Sequence, residues 1–332
     1  MGPMGGVSAV KVSRLRQARP VAGARIIGFG AYQPSTVVTS EETARRFGRT
    51  GEWVRGRTGI VSVRKAQEAE TVHEMAVAAS RQALENCRLD PEKVGLVIVA
   101  SCSADKPMPD VASGVARDVG AVTAGAFDLN AACAGFCYAL TVAADVVRNG
   151  SAEYVLVVGT ERMTAWVDPE DLGTSIIFGD GAGAAIVGAS PDPGIGPVVW
   201  GSDGQGADLI RIPDFTHGMH MEGQAVFRWA TTELYPIALA ACERAGIKPE
   251  QLAAIVPHQA NLRIIHAMAK KIGAPGAVVA QDVVRSGNTS AASIPLALQR
   301  LVEAKAVEPD SLALLIGFGA GLSYAAQVVT LP

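Results

Sequence analysis

The sequence is short of aromatic residues, 5% of 332, and of charge, 18%, and what charge it has nearly cancels: 29 Lys and Arg against 32 Asp and Glu, net −3. A chain without basic excess offers no overall field to draw nucleic acid or an anionic membrane, so an anionic partner must be met by a local patch. Cysteine is scarce as well. Cys87, Cys102, Cys133, Cys137 and Cys242 are odd in number and form no C-x-x-C pair, in a chain too long to need covalent staples, which points to a reducing, cytoplasmic setting. No apolar run reaches membrane-spanning length without a charge or glycine interrupting it. What is present is 49% apolar residue with 36 Gly and 18 Pro, a composition that excludes disorder, collagen and coiled coil and gives ample length for a packed α/β core. Residues 1–21 carry Lys11, Arg14, Arg16 and Arg19 with no acid. They read as a flexible basic leader, and without an apolar h-region they are no secretory signal.

The chain repeats itself at an offset of 158 residues. Leu89-Asp90-Pro91-Glu92-Lys93-Val94 and the apolar run after it fall on Ile247-Lys248-Pro249-Glu250-Gln251-Leu252 and its run. The same offset lays Asp128-Leu129-Asn130-Ala131-Ala132-Cys133 over Ser286-Gly287-Asn288-Thr289-Ser290-Ala291, and 155–160 over 313–318. A fixed offset that holds three times indicates duplication. Within each half, helices alternate with short β-rich runs, the pattern of βαβ units in a mainly parallel sheet. The Pro- and Gly-rich stretch 190–197 is the natural boundary, giving halves at 22–192 and 193–332. Residues 133–147 are apolar around nearly the whole helical circumference, which predicts a helix buried between layers.

Cys133 opens that helix directly after a strand-like run. Unpaired N–H groups and the positive dipole end there are expected to lower the thiol pKa, as a nucleophile needs; taken alone, a lone cysteine is better read as a small buried hydrophobe. Cys137, one turn on, is assigned to packing. His258 ends the β-rich run 253–257, and the C-terminal end of a strand is where α/β proteins place functional groups. Asn288 precedes the second half's counterpart of the Cys133 helix, where an N-cap is its ordinary use. His266 reads as surface and His73 as a helix cap, while His217 and His220 are too weakly spaced to signal a metal. Gly317-Phe318-Gly319-Ala320-Gly321 is not a dinucleotide loop, because only 11 residues follow it and 324–331 reads as a strand. Phe178-Gly179-Asp180-Gly181-Ala182-Gly183 fails likewise. Such glycine turns serve better to aim backbone N–H groups at a developing oxyanion.

Four motifs in this order, Ala131-Ala132-Cys133-Ala134-Gly135-Phe136, Pro257-His258-Gln259-Ala260-Asn261, Gly287-Asn288-Thr289-Ser290-Ala291-Ala292-Ser293 and the terminal Gly-Phe-Gly-x-Gly, resemble β-ketoacyl-ACP synthase III of the thiolase superfamily. The resemblance runs from about Ala24 to Leu331 and matches the actinobacterial and polyketide-pathway members. It implies a five-layered αβαβα fold built from two duplicated halves, a homodimer, and Cys133 as the nucleophile. The implied chemistry is loading of an acyl group from acyl-CoA onto Cys133 and decarboxylative Claisen condensation with malonyl-ACP. His258 and Asn288 would stabilise the enolate, and the backbone N–H groups of Cys133 and Ala320 the tetrahedral oxyanions. Coenzyme A would meet Trp53, Arg57, Ala260, Asn261 and Arg263; the acyl carrier protein would dock on Arg228, Arg263, Lys270 and Lys271; Met108 would cap the acyl pocket of the neighbouring subunit. No metal and no cofactor is implied, acyl-CoA being a substrate.

The chain departs from the resemblance at Ala165 and Leu172, where members carry arginines, and the 205–222 stretch is shorter than in several relatives. A starter-unit or ester-forming acyltransferase of the same fold is the alternative, with a non-catalytic carrier-docking subunit behind it. A degradative thiolase is excluded by the lack of any cysteine after Cys242, and an elongating synthase by Asn288 where a second histidine would stand.

Overall fold

The computed structural model describes residues 21–214 and 216–332, so the basic leader, Val21 apart, lies outside the described residues. Two five-stranded sheets face each other. The first contains β1 (Gly23–Tyr32), β2 (Val94–Ala100), β3 (Gly125–Leu129), β4 (Tyr154–Arg162) and β5 (Asp180–Ser190), in the order β1-β5-β4-β2-β3. The second contains β6 (Val199–Ser202), β7 (Ala254–Pro257), β8 (Val278–Val279), β9 (Leu312–Gly319) and β10 (Ser323–Thr330), in the order β8-β7-β9-β10-β6. The second order is the first in reverse, with the same parallel and antiparallel neighbours, and the 158-residue offset lays β2 on β7 and β4 on β9. Each sheet is mixed rather than mainly parallel: three parallel strands are flanked by two antiparallel pairings. The connection from β9 to β10 is only the turn Ala320–Leu322, and so short a link cannot carry the crossover that parallel strands require.

Helices complete five layers. Val72–Cys87 (α2) and Val111–Val119 (α3) cover the outer face of the first sheet, burying Met75, Leu84 and Val115 against Val97 and Leu156. Leu234–Arg244 (α6) and Leu262–Ile272 (α7) cover the second, with Leu234, Ile264 and Met268 against Leu314 and Phe318. Between the sheets lie Gly135–Arg148 (α4) and Ser293–Glu303 (α8), whose Phe136, Leu140, Ile294 and Leu298 are fully enclosed by both sheets. Each such side chain contributes about 1.5–3 kcal/mol by leaving water, so this double-sided layer anchors the fold. The all-round apolar helix expected at 133–147 is this inner one, entered through a 3-10 turn, Ala132–Ala134.

The inner helices approach the opposite half closely enough to exclude a side chain. A Cβ on Gly317 of β9 would stand 3.0 Å from the Cα of Ala134, and one on its counterpart Gly159 of β4 would stand 2.3 Å from the Ala291 carbonyl oxygen. The two turns that feed these helices are copies in torsion as well as in sequence. Ala132 and Ser290, 158 residues apart, both have positive φ, 45° and 47°. Each is held by an asparagine two residues earlier: Ala132 N–H donates to Asn130 Oδ1 at 3.1 Å and Ser290 N–H to Asn288 Oδ1 at 2.8 Å. Among the described residues no helix is long and apolar enough to cross a membrane.

Candidate active site

The duplicated turns and the ends of β7 and β9 converge on one cavity of about 330 Å³. Cys133, His258, Asn288 and Ala320 all line it, although they come from four separate stretches of chain. Cys133 stands in the turn before α4. Gly319, extended at the end of β9, packs directly on it: a Cβ there would meet Cys133 Cβ at 2.8 Å and Sγ at 3.1 Å. A glycine is therefore required for the 319–320 backbone to lie beside the sulfur, which brings the Ala320 peptide next to the nucleophile candidate.

His258 is buried. Its Nδ1 meets Ser293 Oγ at 2.7 Å, and that oxygen already accepts the Gln259 N–H at 3.3 Å. With the serine hydroxyl donating to Nδ1, the imidazole proton lies on Nε2, the donor arrangement an enolate oxygen needs. Phe318 packs edge-on against the ring at 5.1 Å between centroids. Burial pushes the His258 pKa down to about 3, so the imidazole is neutral at physiological pH. Asn288 is pinned by Asn288 N–H to Ile177 O, 2.9 Å, and Gly179 N–H to Asn288 O, 3.0 Å. With Oδ1 committed to Ser290 N–H, the Nδ2 donor is left for the cavity. Asn288 is not a helix cap; it closes an Asx turn, and Thr289 holds the cap position.

The electrostatic expectation for Cys133 is corrected. Its thiol is pushed up to about 12 rather than lowered: burial is the main cause, the carboxyl of Glu161 adds to it, and only Ser290 and the local backbone N–H oppose. A helix terminus works through partial charges, and here desolvation of a thiolate outweighs them. Cys137 is fully buried in the core, as assigned.

Around this centre the expected binding residues fall into two groups. Ala260 and Asn261 line the cavity. Trp53 and Arg57 lie outside it on Gly51–Thr58 (α1), which is tied to the start of α7 by Asn261 Nδ2 donating to Arg57 O at 3.2 Å. The guanidinium carbons of Arg57 and Arg49 lie 4.3 and 5.3 Å from the Trp53 ring centroid, and Trp53 and Leu172 both pack against the small cluster of Ala44, Val54 and Ile176. Arg263 lies over Phe227, itself a cavity residue, at 5.2 Å. Arg228 on Gly223–Thr232 (α5) and Arg263, Lys270 and Lys271 on the adjoining α7 are all exposed, and Lys271 also donates to Thr231 O at 2.6 Å and covers Tyr235. Met108 does not line its own chain's cavity and is 78% exposed.

Other expectations resolve simply. His266 is exposed. His73 is not a cap: Thr71 caps α2, and His73 Nε2 meets Asp118 Oδ2 at 2.8 Å. No group of residues able to hold a metal occurs among the described residues, and His217 is engaged with Asp214. Sequence reasoning missed Cys102, Ser290 and the buried Glu161 beside Cys133, as well as the apolar wall formed by Met163, Phe178, Met219 and Met221. Glu161 was findable, since it ends a β-rich run just as His258 does.

Comparison with known proteins gives the family of the chain. Residues 127–204 match the family model of 3-oxoacyl-[acyl-carrier-protein (ACP)] synthase III, and residues 242–331 match that of its C-terminal part. A curated β-ketoacyl-[acyl-carrier-protein] synthase III 4 of Streptomyces coelicolor is 49% identical over 313 residues, covering 93% of this chain and 99% of the relative. The chain belongs to the synthase III family. The synthase III of Mycobacteroides abscessus is 45% identical over 92% of this chain and 94% of its own length. Among solved structures, the priming β-ketosynthase from the R1128 polyketide biosynthetic pathway superposes with a TM-score of 0.92 at 46% identity, covering 96% of this chain and 98% of that one. The five-layered thiolase fold of the family is the one described above.

Proposed function

We propose that this condensing enzyme loads an acyl group from acyl-CoA onto Cys133 and condenses it with malonyl-ACP, giving a 3-ketoacyl-ACP that starts a fatty acid or polyketide chain. The observation that carries the reading is the convergence of Cys133, His258, Asn288 and the Gly319–Ala320 backbone on one cavity. Cys133 attacks the thioester, and the N–H groups of Cys133 and Ala320 receive the oxyanion. After coenzyme A leaves, malonyl-ACP enters and decarboxylates. Nε2 of neutral His258 and Nδ2 of Asn288 then donate to the thioester oxygen as it gains charge, and the carbanion attacks the acyl-cysteine. The test is intact-mass detection of acyl-enzyme over a panel of acyl-CoAs, followed by discharge with malonyl-ACP. A label that malonyl-ACP does not discharge into a ketoacyl product would favour the ester-forming alternative. Likeness to a priming β-ketosynthase supports a polyketide-initiating role in particular.

Trp53, Arg57, Ala260, Asn261 and Arg263 form the route by which coenzyme A enters, and no metal or further cofactor takes part. Arg228, Arg263, Lys270 and Lys271 form a local basic dock for an acidic carrier protein. Arg228→Glu combined with Lys270→Glu is expected to cut use of malonyl-ACP about tenfold at low salt while sparing malonyl-CoA. Unchanged discrimination between the two donors would remove the dock. The enzyme works as a homodimer in the cytoplasm. Support for the dimer comes from edge strand β3, where Phe127 is solvent-facing, and from the exposed Val122 and Met108 nearby in sequence.

In that dimer Met108 closes the partner's acyl pocket. Methionine is flexible and fills irregular space, and with Met163, Met219 and Met221 lining the wall the pocket admits primers longer than acetyl. Met108→Phe is expected to shift preference toward acetyl-CoA. Each methylene excluded changes relative kcat/KM by roughly tenfold or more. An unaltered primer ranking in an intact dimer would mean that the cavity wall alone sets the depth.

A further inference from the structure

Glu161 is completely buried at the end of β4, and the reaction as described makes no use of it. Its Oε2 accepts from Ser103 Oγ at 2.5 Å and Ser101 Oγ at 3.1 Å. Its Oε1 accepts from Ser290 Oγ at 2.9 Å and the Ala291 N–H at 3.3 Å, so the carboxyl joins the end of β2 to the turn that holds Asn288. Ser290 is itself fully buried, lines the cavity, and has its hydroxyl 3.5 Å from Cys102 Sγ while also interacting with the Cys133 sulfur. His258 has its Nδ1 taken by Ser293, and no hydrogen bond joins the imidazole to Cys133 among the described residues. Glu161 also receives the Cys102 N–H at 3.2 Å and the Cys102 thiol at 3.3 Å, and Ser290, bonded to the same Oε1, is the hydroxyl that links the carboxyl to Cys133.

We propose that Glu161, acting through the Ser290 hydroxyl, takes the proton of Cys133 when the acyl group is loaded. The inference rests on Cys133 being the nucleophile. As the S–H bond breaks, its proton passes to Ser290 Oγ, the Ser290 proton passes to Glu161 Oε1, and the sulfur electron pair attacks the thioester carbonyl. When the tetrahedral intermediate collapses, the C–S bond to coenzyme A breaks, and the proton returns by the same route to the departing thiolate. Acyl-CoA and free thiol have then become acyl-cysteine and free coenzyme A with no proton gained or lost. The buried cluster carries one negative charge throughout, first on oxygen and then on sulfur, so neither step adds a second buried charge. The titratable groups facing Glu161 are Cys102 from the segment after β2 and Cys133 from the turn before α4, and burial raises all three pKa values. A carboxylate made more basic by burial is a better acceptor for this proton.

The test is the rate of iodoacetamide alkylation at Cys133, mapped by mass spectrometry from pH 5.5 to 9.5 on the full-length enzyme, Glu161→Gln and Ser290→Ala. In the wild type, transfer within the pair makes the thiolate fraction independent of bulk pH, so the rate is expected to be flat across neutrality. Glu161→Gln retains the shape and cannot take a proton; its rate should climb about tenfold per pH unit and lie at least tenfold below wild type at pH 6. Ser290→Ala leaves the carboxylate in place, should behave alike, and serves on its own if the glutamine variant does not fold. Two results overturn the proposal. A Glu161→Gln enzyme faster than wild type at every pH would show that the carboxylate only repels the thiolate, and a constant ratio with an unchanged profile would show that it only positions the turn. Labelling by acetyl-CoA keeps the two ideas apart: a label off Cys133 removes the nucleophile, whereas a label on Cys133 without the flat profile removes only the proton route.

Discussion

Cys133→Ala is expected to lose acyl-enzyme formation altogether, with turnover falling by roughly 10⁶, the scale on which a covalent catalyst depends on its nucleophile. The fold should survive. The equivalent turn in the second half already carries an alanine at the corresponding position, Ala291, with the same left-handed residue before it. An alanine there meets no strain, and the cost in stability is about 1 kcal/mol for the lost sulfur contacts. Intact-mass analysis after incubation with acyl-CoA checks the result: a covalent adduct on the alanine variant would move the nucleophile elsewhere. Cys137→Ala is the control, fully buried and packed beneath Gly317 rather than facing the cavity, and it should still be acylated.

His258→Ala and Asn288→Ala should divide the two half-reactions. Each removes one donor to a developing enolate, so condensation is expected to fall about 10²–10³ while acyl transfer continues at a reduced rate. Equal loss in both halves, measured by stopped acyl-enzyme formation and by product release, would place the residue in thiol activation. The pH dependence separates the roles further. With its pKa near 3, His258 is neutral well below physiological pH, so condensation should show no acid limb near the usual histidine value. The same shift acts on stability. Between about pH 3 and the ordinary histidine pKa of about 6.5 the unfolded chain binds a proton that the folded chain does not, so this residue weakens the fold as pH falls through that window. His258→Gln should flatten that part of the stability curve.

The fixed offset made the architecture readable before any coordinates, because duplication leaves its mark in residues whose backbone role is special. Asn130 and Asn288 each close the same turn, and both were visible as aligned asparagines. Strand direction was harder to read. The antiparallel halves of both sheets follow from turns such as Ala320–Leu322, whose shortness is not evident from composition. At the site, Cys133 and His258 each follow a strand-like run, whereas Asn288 follows the helix Val283–Ser286 and drew notice as a site residue only through the ordered motifs that resemble the family. The ionisation of Cys133 was not, since dipole effects can be argued from sequence whereas desolvation depends on how completely the other half encloses the thiol. For Glu161 the place at the end of a β-rich run was legible, but its enclosure by Ser103 and Ser290 was not.

The counterpart of Glu161 at the 158-residue offset is Gly319. Each half carries one elbow and one facing strand end, and the two halves differ there in opposite senses. In one, a cysteine looks into the void left by a missing side chain; in the other, an alanine looks at a space filled by a carboxylate. Yet both elbows keep the same left-handed torsion, at Ala132 and at Ser290. The left-handed backbone is thus common to both halves, kept also where alanine stands in place of cysteine, and the two elbows serve one cavity with different side chains.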